Sequence, residues 1–259
     1  MSKWGMVVDT RLCIGCQSCT VACKAENKTP LGSFRTHVKI MESGKYPKTT
    51  KRFAPMLCMH CEKPPCRDIC PTGATYKRRD GLVLINYEKC IGCGYCLDAC
   101  PYDARYLNPK KVSAGNGGVV EWGANRAESK ADKCTFCAHR LDKGIEPACA
   151  NTCVGGARQF GDFDDSSSTV AQVKNSVESG SKELKNMQAS YGPLQLNGLS
   201  VFYILPASAA DFNLPELGNL SITEGKQLVK VVGSVAAAAT LGVLGLSFIG
   251  SAMDGGKDG

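Results

Sequence analysis

The fold is decided by the stretch CIGCGYCLDACP, residues 90–101 of the 259-residue chain. Its cysteines are spaced C-x2-C-x2-C-x3-C, and Pro101 follows the last of them. Three thiolates within seven residues suit three irons of one cubane cluster, and the fourth then points at a neighbouring cluster. The stretch therefore predicts ligands for [4Fe–4S] clusters.

All sixteen cysteines of the chain fall into four runs of this kind. The first run has the same spacing as the third, the second expands it to C-x2-C-x4-C-x3-C, and the fourth expands it to C-x2-C-x11-C-x3-C. Sixteen thiolates are the complement for four [4Fe–4S] clusters, so the pattern predicts an electron-transfer protein. Besides Cys90, Cys93, Cys96 and Cys100, the runs consist of Cys13, Cys16, Cys19 and Cys23; Cys58, Cys61, Cys66 and Cys70; and Cys134, Cys137, Cys149 and Cys153.

Zinc and disulfide bonds are the two alternatives for a cysteine-rich chain. A structural zinc ion takes four ligands as two separated pairs, whereas here each run supplies four close cysteines. A disulfide framework suits small exported domains, but a chain of this length can bury a core without such crosslinks. Iron–sulfur ligation explains the spacing better than either.

An internal repeat predicts how the runs combine. The second and third runs both end in Cys-Pro, as a two-cluster ferredoxin run does, and they form one unit in which each fourth cysteine crosses to the other cluster. The first and fourth runs bracket that unit and form a second, discontinuous one. The predicted ligand sets are Cys13, Cys16, Cys19 and Cys153 (site 1); Cys134, Cys137, Cys149 and Cys23 (site 2); Cys58, Cys61, Cys66 and Cys100 (site 3); and Cys90, Cys93, Cys96 and Cys70 (site 4).

We expect an α+β fold of two ferredoxin-like units, one inserted in the other, followed by a C-terminal transmembrane helix. Short apolar or β-branched stretches predict strands, and each third cysteine is expected to lead into a short helical turn. With little conventional core, the cluster domain should not fold without iron. The predicted segments are 1–57 with 101–165, 58–100, a connector over 166–227 and an anchor over 228–253; the predicted strands are Trp4–Asp9, Thr36–Ile40, Leu82–Asn86 and Ser200–Leu205, and a helix is predicted over Thr169–Val177.

The tail differs in character from the rest of the chain. Val231–Met253 contains 23 residues without a charge, and as a helix at about 1.5 Å per residue it would cross a hydrocarbon core. A position so far from the N terminus excludes a signal peptide. A single transmembrane anchor is therefore predicted, the alternatives being a buried helix or an irregular Ala/Gly-rich tail.

Charge and histidine content limit the remaining functions. The net charge of +7 is best explained as compensation for the negative clusters, and no basic face interleaved with aromatic residues indicates nucleic-acid binding. The three histidines His37, His60 and His139 form no catalytic constellation, and the chain has no Gly-rich phosphate-binding loop. We expect no catalytic residue in this chain; substrate chemistry belongs to another subunit.

Several motifs resemble the electron-transfer subunit of the complex iron–sulfur molybdoenzymes, the dimethyl sulfoxide reductase family. They are DTRLCIGCQSC (9–19), CMHC (58–61) with PPC (64–66), and KCTFC (133–137), and the resemblance covers residues 3–165. Polysulfide and thiosulfate reductases and respiratory formate dehydrogenases contain such a subunit. The resemblance implies a four-cluster relay between a molybdopterin catalytic subunit and a quinone-reactive membrane subunit.

The resemblance also implies the direction of the relay. Site 1 would face the catalytic subunit and site 4 the membrane partner. Nitrate-reductase-type relatives replace one cysteine of the third run with tryptophan, and since this chain keeps Cys93, four [4Fe–4S] clusters are expected.

One alternative function is the same relay serving a membrane-bound nickel–iron hydrogenase. An iron–sulfur redox sensor is another, against which four clusters and an anchor argue.

The basic residues and the family resemblance indicate opposite sides of the membrane for the cluster domain. Lys226 and Lys230 precede the apolar segment and only Lys257 follows it, which by basic residues alone places the cluster domain in the cytoplasm. Many members of the resembled family instead work outside the cytoplasmic membrane. The chain shows no apolar leader or twin-arginine motif, so export would require a signal-bearing partner. We expect the extracytoplasmic face, with the cytoplasmic face as the alternative.

Overall fold

The computed structural model describes residues 2–109, 113–114, 118–119, 129–178 and 199–204. The elements are short and mixed, which confirms the α+β class. In chain order they are β1 (Trp4–Asp9), α1 (Ser18–Asn27), β2 (Thr36–Lys45), β3 (Lys48–Leu57), α2 (Pro65–Asp68), β4 (Thr75–Lys77), β5 (Val83–Ile85), α3 (Tyr95–Asp98), β6 (Tyr106–Leu107), β7 (Ser113–Ala114), β8 (Gly118–Val119), β9 (Ala131–Asp132), α4 (Ala138–Leu141), α5 (Ala148–Asn151), β10 (Arg158–Asp162), α6 (Thr169–Glu178) and β11 (Val201–Ile204).

A three-stranded sheet joins the beginning of the chain to two late segments. β1 lies in the centre, antiparallel to β10 and parallel to β11. The sequence predicts β1 and β11 from their apolar and β-branched residues, and both predictions are confirmed. It does not predict β10, because the sequence RQFGD lacks the alternation of a half-buried strand.

One face of this sheet carries a small apolar core. Val7 of β1 packs with Phe202 and Ile204 of β11, and Phe163 and Val170 complete the cluster. Val170 belongs to α6, the helix that the sequence predicts after a polar loop. The segment after the last cysteine therefore supplies most of this cluster.

The longest strands form a hairpin between the first two cysteine runs. β2 and β3 pair antiparallel from Thr36 opposite Leu57 to Lys45 opposite Lys48. The predicted strand Thr36–Ile40 is thus the start of a strand twice as long. The sequence does not predict β3, because the first half of this strand is polar and exposed.

Short helices carry the cysteines in two packed pairs. α1, with Cys19 and Cys23, packs against α5, with Cys149; α2, with Cys66, packs against α3, with Cys96. The first and fourth runs thus share one helix pair, and the second and third runs share the other. The predicted strand Leu82–Asn86 is confirmed as β5, which pairs antiparallel with β4 so that Thr75 lies opposite Ile85.

The predicted anchor Val231–Met253 lies outside the described residues. Within the part of the chain that the structure describes, no helix has the length and apolar character needed to span a bilayer.

A buried ion pair joins segments from different parts of the chain. Arg35, just before β2, donates two hydrogen bonds to Asp132 of β9, from Nη2 to Oδ1 at 2.7 Å and from Nε to Oδ2 at 3.0 Å. The two side chains are 2% and 0% exposed. Tyr87 and Tyr106 each donate a hydroxyl hydrogen bond to the same carboxylate. Since both oxygens of Asp132 are engaged, the network fixes how these segments meet.

Replacing Arg35 by Met should destabilise the protein by about 3–5 kcal/mol, because the Asp132 carboxylate would stay buried without its partner. The measurement is the urea concentration at which half of the visible cluster absorbance is lost. Arg67→Met is the matched control, since Arg67 pairs with Asp68 at an exposed site worth about 0–1 kcal/mol. Equal midpoints for the two variants would contradict the structural role of Arg35.

Candidate metal centres

Two of the predicted ligand sets surround clear hollows. The four cysteines of site 1 line one hollow with an empty volume of about 330 Å³, part of it open to solvent. The four cysteines of site 4 line another of about 350 Å³. Each set includes the fourth cysteine of a distant run, Cys153 in site 1 and Cys70 in site 4. The structure thus brings together the ligands that the crossing pattern predicts for these two sites.

The cysteines of sites 2 and 3 come together in the interior. Burial raises the pKa of the Cys61 thiol, and the thiolates of Cys58, Cys66 and Cys100 raise it further. Burial likewise raises the pKa of Cys23 to about 12, with contributions from Cys149 and Cys137. In both sets the cysteine from the partner run lies among the other ligands.

The loops between the first two cysteines of each run share one backbone feature. The residue just before the second cysteine has a positive φ in all four runs: Gly15 (74°), His60 (44°), Gly92 (73°) and Phe136 (50°). At Gly92 a Cβ atom would lie 2.1 Å from the backbone oxygen of Ser129, so glycine is required there. The left-handed residue turns each loop around its site.

Two of these four residues, His60 and Phe136, have aromatic rings, and these rings stack on each other. The rings of His60 and Phe136 lie 3.9 Å apart with an interplanar angle of 22°. His60 Nδ1 accepts a hydrogen bond from Val83 N at 3.0 Å, and burial lowers the pKa of His60, so the ring is neutral. The stack joins the loop of site 3 to the loop of site 2. The sequence indicates that His60 lies near a cluster but gives no sign of this contact.

Thiolates of successive sites approach one another in a fixed order. Burial raises the pKa of Cys149 in site 2, and Cys19 of site 1 adds to the effect. Burial also raises the pKa of Cys134 in site 2, where Cys58 of site 3 contributes. In site 3, burial raises the pKa of Cys66, and Cys96 of site 4 is among the thiolates that raise it further. The packing agrees with this order: α1 packs against α5 beside sites 1 and 2, the His60–Phe136 stack joins the loops of sites 2 and 3, and α2 packs against α3 beside sites 3 and 4. The sites therefore follow one another as 1, 2, 3 and 4.

The two end sites reach the surface. Cys16 of site 1 and Cys93 of site 4 are exposed, whereas site 2 is buried throughout. Apolar side chains stand beside each exposed end: Ile14 next to site 1 is 62% exposed, and Ile91 next to site 4 is 68% exposed. Exposed apolar residues around both ends of the series are suited to contact with other proteins.

A polar side chain that the sequence does not single out lies against two ligands of site 2. Asn27, at the end of α1, directs Nδ2 to Cys23 Sγ at 3.5 Å and to Cys137 Sγ at 3.6 Å. Its Oδ1 accepts a hydrogen bond from Arg35 Nη1 at 2.8 Å, which links the site to the buried ion pair. The sequence gives no signal for this role, because Asn27 approaches Cys137 only through tertiary packing.

The donor sets fit cubane clusters. Sites 1 and 4 each offer four thiols around one hollow, and the cysteines of sites 2 and 3 lie together in the interior. Burial keeps several thiols neutral in the absence of a metal, raising the pKa of Cys100, for example, to about 11. Bound iron would hold such thiols as thiolates. Within the described ranges, no three His, Cys, Asp or Glu side chains are arranged around a single metal ion.

Comparison with known proteins agrees with this assignment. The 4Fe-4S dicluster domain family matches residues 49–116 and 121–163. The B subunit of tetrathionate reductase from Salmonella typhimurium is 41% identical over 207 residues, which cover 79% of this chain and 76% of the relative. The corresponding component of polysulfide reductase from Wolinella succinogenes is 40% identical over 174 residues, covering 66% and 82%. The thiosulfate reductase electron transfer subunit of Salmonella typhi is 42% identical over 168 residues, covering 64% and 79%.

The fold and the cysteine sites define an iron–sulfur protein with [4Fe–4S] cofactors, and the sixteen cysteines are consistent with four such clusters. The chain belongs to the iron–sulfur, or beta, subunits of the dimethyl sulfoxide reductase family, which confirms the resemblance seen in its motifs. Membership makes it an electron-transfer subunit rather than a catalytic one.

The crossing of ligands between runs can be tested by pairwise comparison of serine variants. Cys70→Ser should alter the same paramagnetic resonance signal as Cys93→Ser, because both residues line site 4. Cys100→Ser should alter the signal that Cys61→Ser alters. If Cys70→Ser instead reproduced the change seen in Cys61→Ser, each run would hold its own cluster and the assignment would be wrong.

Proposed function

We propose that the chain relays single electrons through four [4Fe–4S] clusters, between a molybdopterin catalytic subunit and a quinone-reactive membrane subunit. The observation that carries the proposal is the order of the sites: helix packing and the His60–Phe136 stack join neighbouring sites in the sequence 1, 2, 3, 4, and only the two end sites have exposed cysteines. Each bound cluster supplies a centre that accepts and releases one electron. The protein holds these centres in series.

The protein's own residues insulate the middle of this series. Sites 2 and 3 lie beside the His60–Phe136 stack, the base of the β2–β3 hairpin and the Arg35–Asp132 network. Exclusion of water there limits the solvent rearrangement that accompanies each change of charge. We further propose that the two packed helix pairs belong to two ferredoxin-like units, with residues 58–100 inserted between 1–57 and 101–165.

The two ends of the series are proposed to dock different partners. In line with the family resemblance, site 1 would face the catalytic subunit and site 4 the membrane subunit. The exposed apolar residues Ile14 and Val154 flank site 1, and Ile91 and Tyr95 flank site 4. The relatives are named as subunits of tetrathionate, polysulfide and thiosulfate reductases, which supports a catalytic partner for this chain.

The proposed location is the cell membrane, with Val231–Met253 as a single-pass anchor. The support is the length of this uncharged segment and the family resemblance. We place the cluster domain on the extracytoplasmic face, and protease digestion of intact against ruptured cells distinguishes this face from the cytoplasmic one.

Purification of the native complex from membranes washed at high pH tests the partners and the anchor together. We expect the chain to remain with the washed membranes and to copurify with molybdenum or tungsten and about sixteen irons per chain, four for each of four clusters. Nickel instead of molybdenum or tungsten would identify a hydrogenase partner. A chain that copurifies with no other subunit would favour a redox sensor and contradict the relay.

Cys93→Ser tests which end of the series faces the membrane. The substitution removes an exposed ligand of site 4, so quinone-linked turnover of the complex should be lost. Activity of the catalytic subunit with an artificial dye should survive, since the dye exchanges electrons there directly, and it serves as the internal control for assembly. Unchanged quinone-linked turnover would show that site 4 does not face the membrane partner.

A further inference from the structure

Two buried arginines occupy equivalent positions after two of the cysteine runs. Arg105 is the fifth residue after Cys100, and Arg158 is the fifth residue after Cys153, the last cysteines of the third and fourth runs. Both side chains are buried, with 4% and 3% of each residue exposed. Neither belongs to the Arg35–Asp132 network. Their shared position after the last cysteine is a repeat that the spacing of the ligands alone does not predict.

Arg158 lies between sites 1 and 2. Its Nη1 donates to Cys149 Sγ of site 2 at 3.6 Å, and the same side chain lines the hollow of site 1. Its Nη2 donates to Thr36 Oγ1 at 2.6 Å, which fixes the direction of the guanidinium. One positive charge thus faces the ligands of two neighbouring sites.

Arg105 has the same relation to sites 3 and 4. Its Nη1 donates to Thr75 Oγ1 at 3.1 Å. Burial lowers the pKa of Arg105, but the thiolates of Cys66 and Cys96 outweigh this effect and keep the pKa raised. Cys66 belongs to site 3 and Cys96 to site 4. Thr75 itself lines the hollow of site 4, so its hydrogen bond holds this guanidinium beside that site. Arg105 also follows Cys100 of site 3 by five residues, which places it next to both sites.

Within the described residues, neither charge is neutralised by a carboxylate. No salt bridge there involves Arg105 or Arg158, and the Nε atoms of both, together with Nη2 of Arg105, have no hydrogen-bond partner. Arg35, by contrast, is fully paired with Asp132. In a buried region of low dielectric, an unpaired charge acts strongly on its neighbours.

We propose that Arg158 raises the reduction potentials of the clusters at sites 1 and 2, and that Arg105 raises those of the clusters at sites 3 and 4. Reduction adds one negative charge to a cluster, so a fixed positive charge beside it stabilises the reduced form. Both arginines act through their field and are positioning residues rather than ligands. The inference rests on the proposed four-cluster relay.

The experiment is a redox titration of the intact complex, followed by electron paramagnetic resonance, with Arg158→Gln and Arg105→Gln compared with the natural protein. In Arg158→Gln the reduction potentials of the clusters at sites 1 and 2 should fall, and those at sites 3 and 4 should be unchanged. In Arg105→Gln the reverse is expected. Arg158→Lys and Arg105→Lys retain the charge and should restore most of the potential. Arg67→Gln removes an exposed, paired charge next to Cys66 and should shift none.

Four clusters with unmoved potentials, or the same clusters shifted in both variants, would overturn the inference. So would Lys variants that behave like the Gln variants, since that result would assign the effect to shape. If a Gln variant does not retain its clusters, Thr36→Val replaces Arg158→Gln and Thr75→Val replaces Arg105→Gln. Loss of the hydroxyl that anchors each arginine should lower the same two reduction potentials by a smaller amount. No shift of these potentials would overturn the inference. Fewer than four clusters in the natural protein would contradict the proposed relay itself.

Discussion

The structure depends on one electrostatic constraint, which is that sixteen thiolates converge in a small domain and many of them are buried. An uncompensated thiolate in the interior is costly, and burial with mutual repulsion raises the pKa of thiols such as Cys23, Cys61 and Cys134. Bound cluster iron would compensate most of this charge. Buried cations compensate more of it, and the positive net charge of the chain is in keeping with that demand. We therefore expect cofactor binding and folding to be coupled in this protein.

The elements around the sites are short because the cofactors, rather than side chains, fill the centre. Three of the six described helices, α2, α3 and α5, are single turns with one cysteine each, and the β6–β9 pair near the sites is only two residues long. One apolar cluster lies on the sheet of β1, β10 and β11, where α6 covers one face, and a second one lies around β5 beside the cysteines of the second and third runs. That sheet brings the chain's first strand against late segments, and the Arg35–Asp132 ion pair joins further distant segments in the interior.

Sequence reasoning succeeds where a structure follows from local spacing. It predicts the strand over Leu82–Asn86 that becomes β5, the helix over Thr169–Val177 that becomes α6 and the strand over Ser200–Leu205 that becomes β11. It fails where a segment whose sequence does not predict a strand is stabilised as one by pairing with a distant segment. β3 is polar and exposed over half its length, yet it forms because its pairing with β2 continues along ten residue pairs. β10, whose five residues include three polar ones and a glycine, is held by its place beside β1.

The sequence by itself determined the chemistry of this protein: the number of ligands, the kind of cluster and the family follow from the spacing of cysteines over a few residues, because that spacing sets which thiolates reach one metal centre. Only the tertiary structure decided how the centres are ordered and what surrounds them. The stacking of His60 on Phe136, the approach of Asn27 to Cys137 and the positions of Arg105 and Arg158 between sites all join residues far apart in the chain or in different runs. Such contacts arise from packing, which fixes distances that no local pattern encodes.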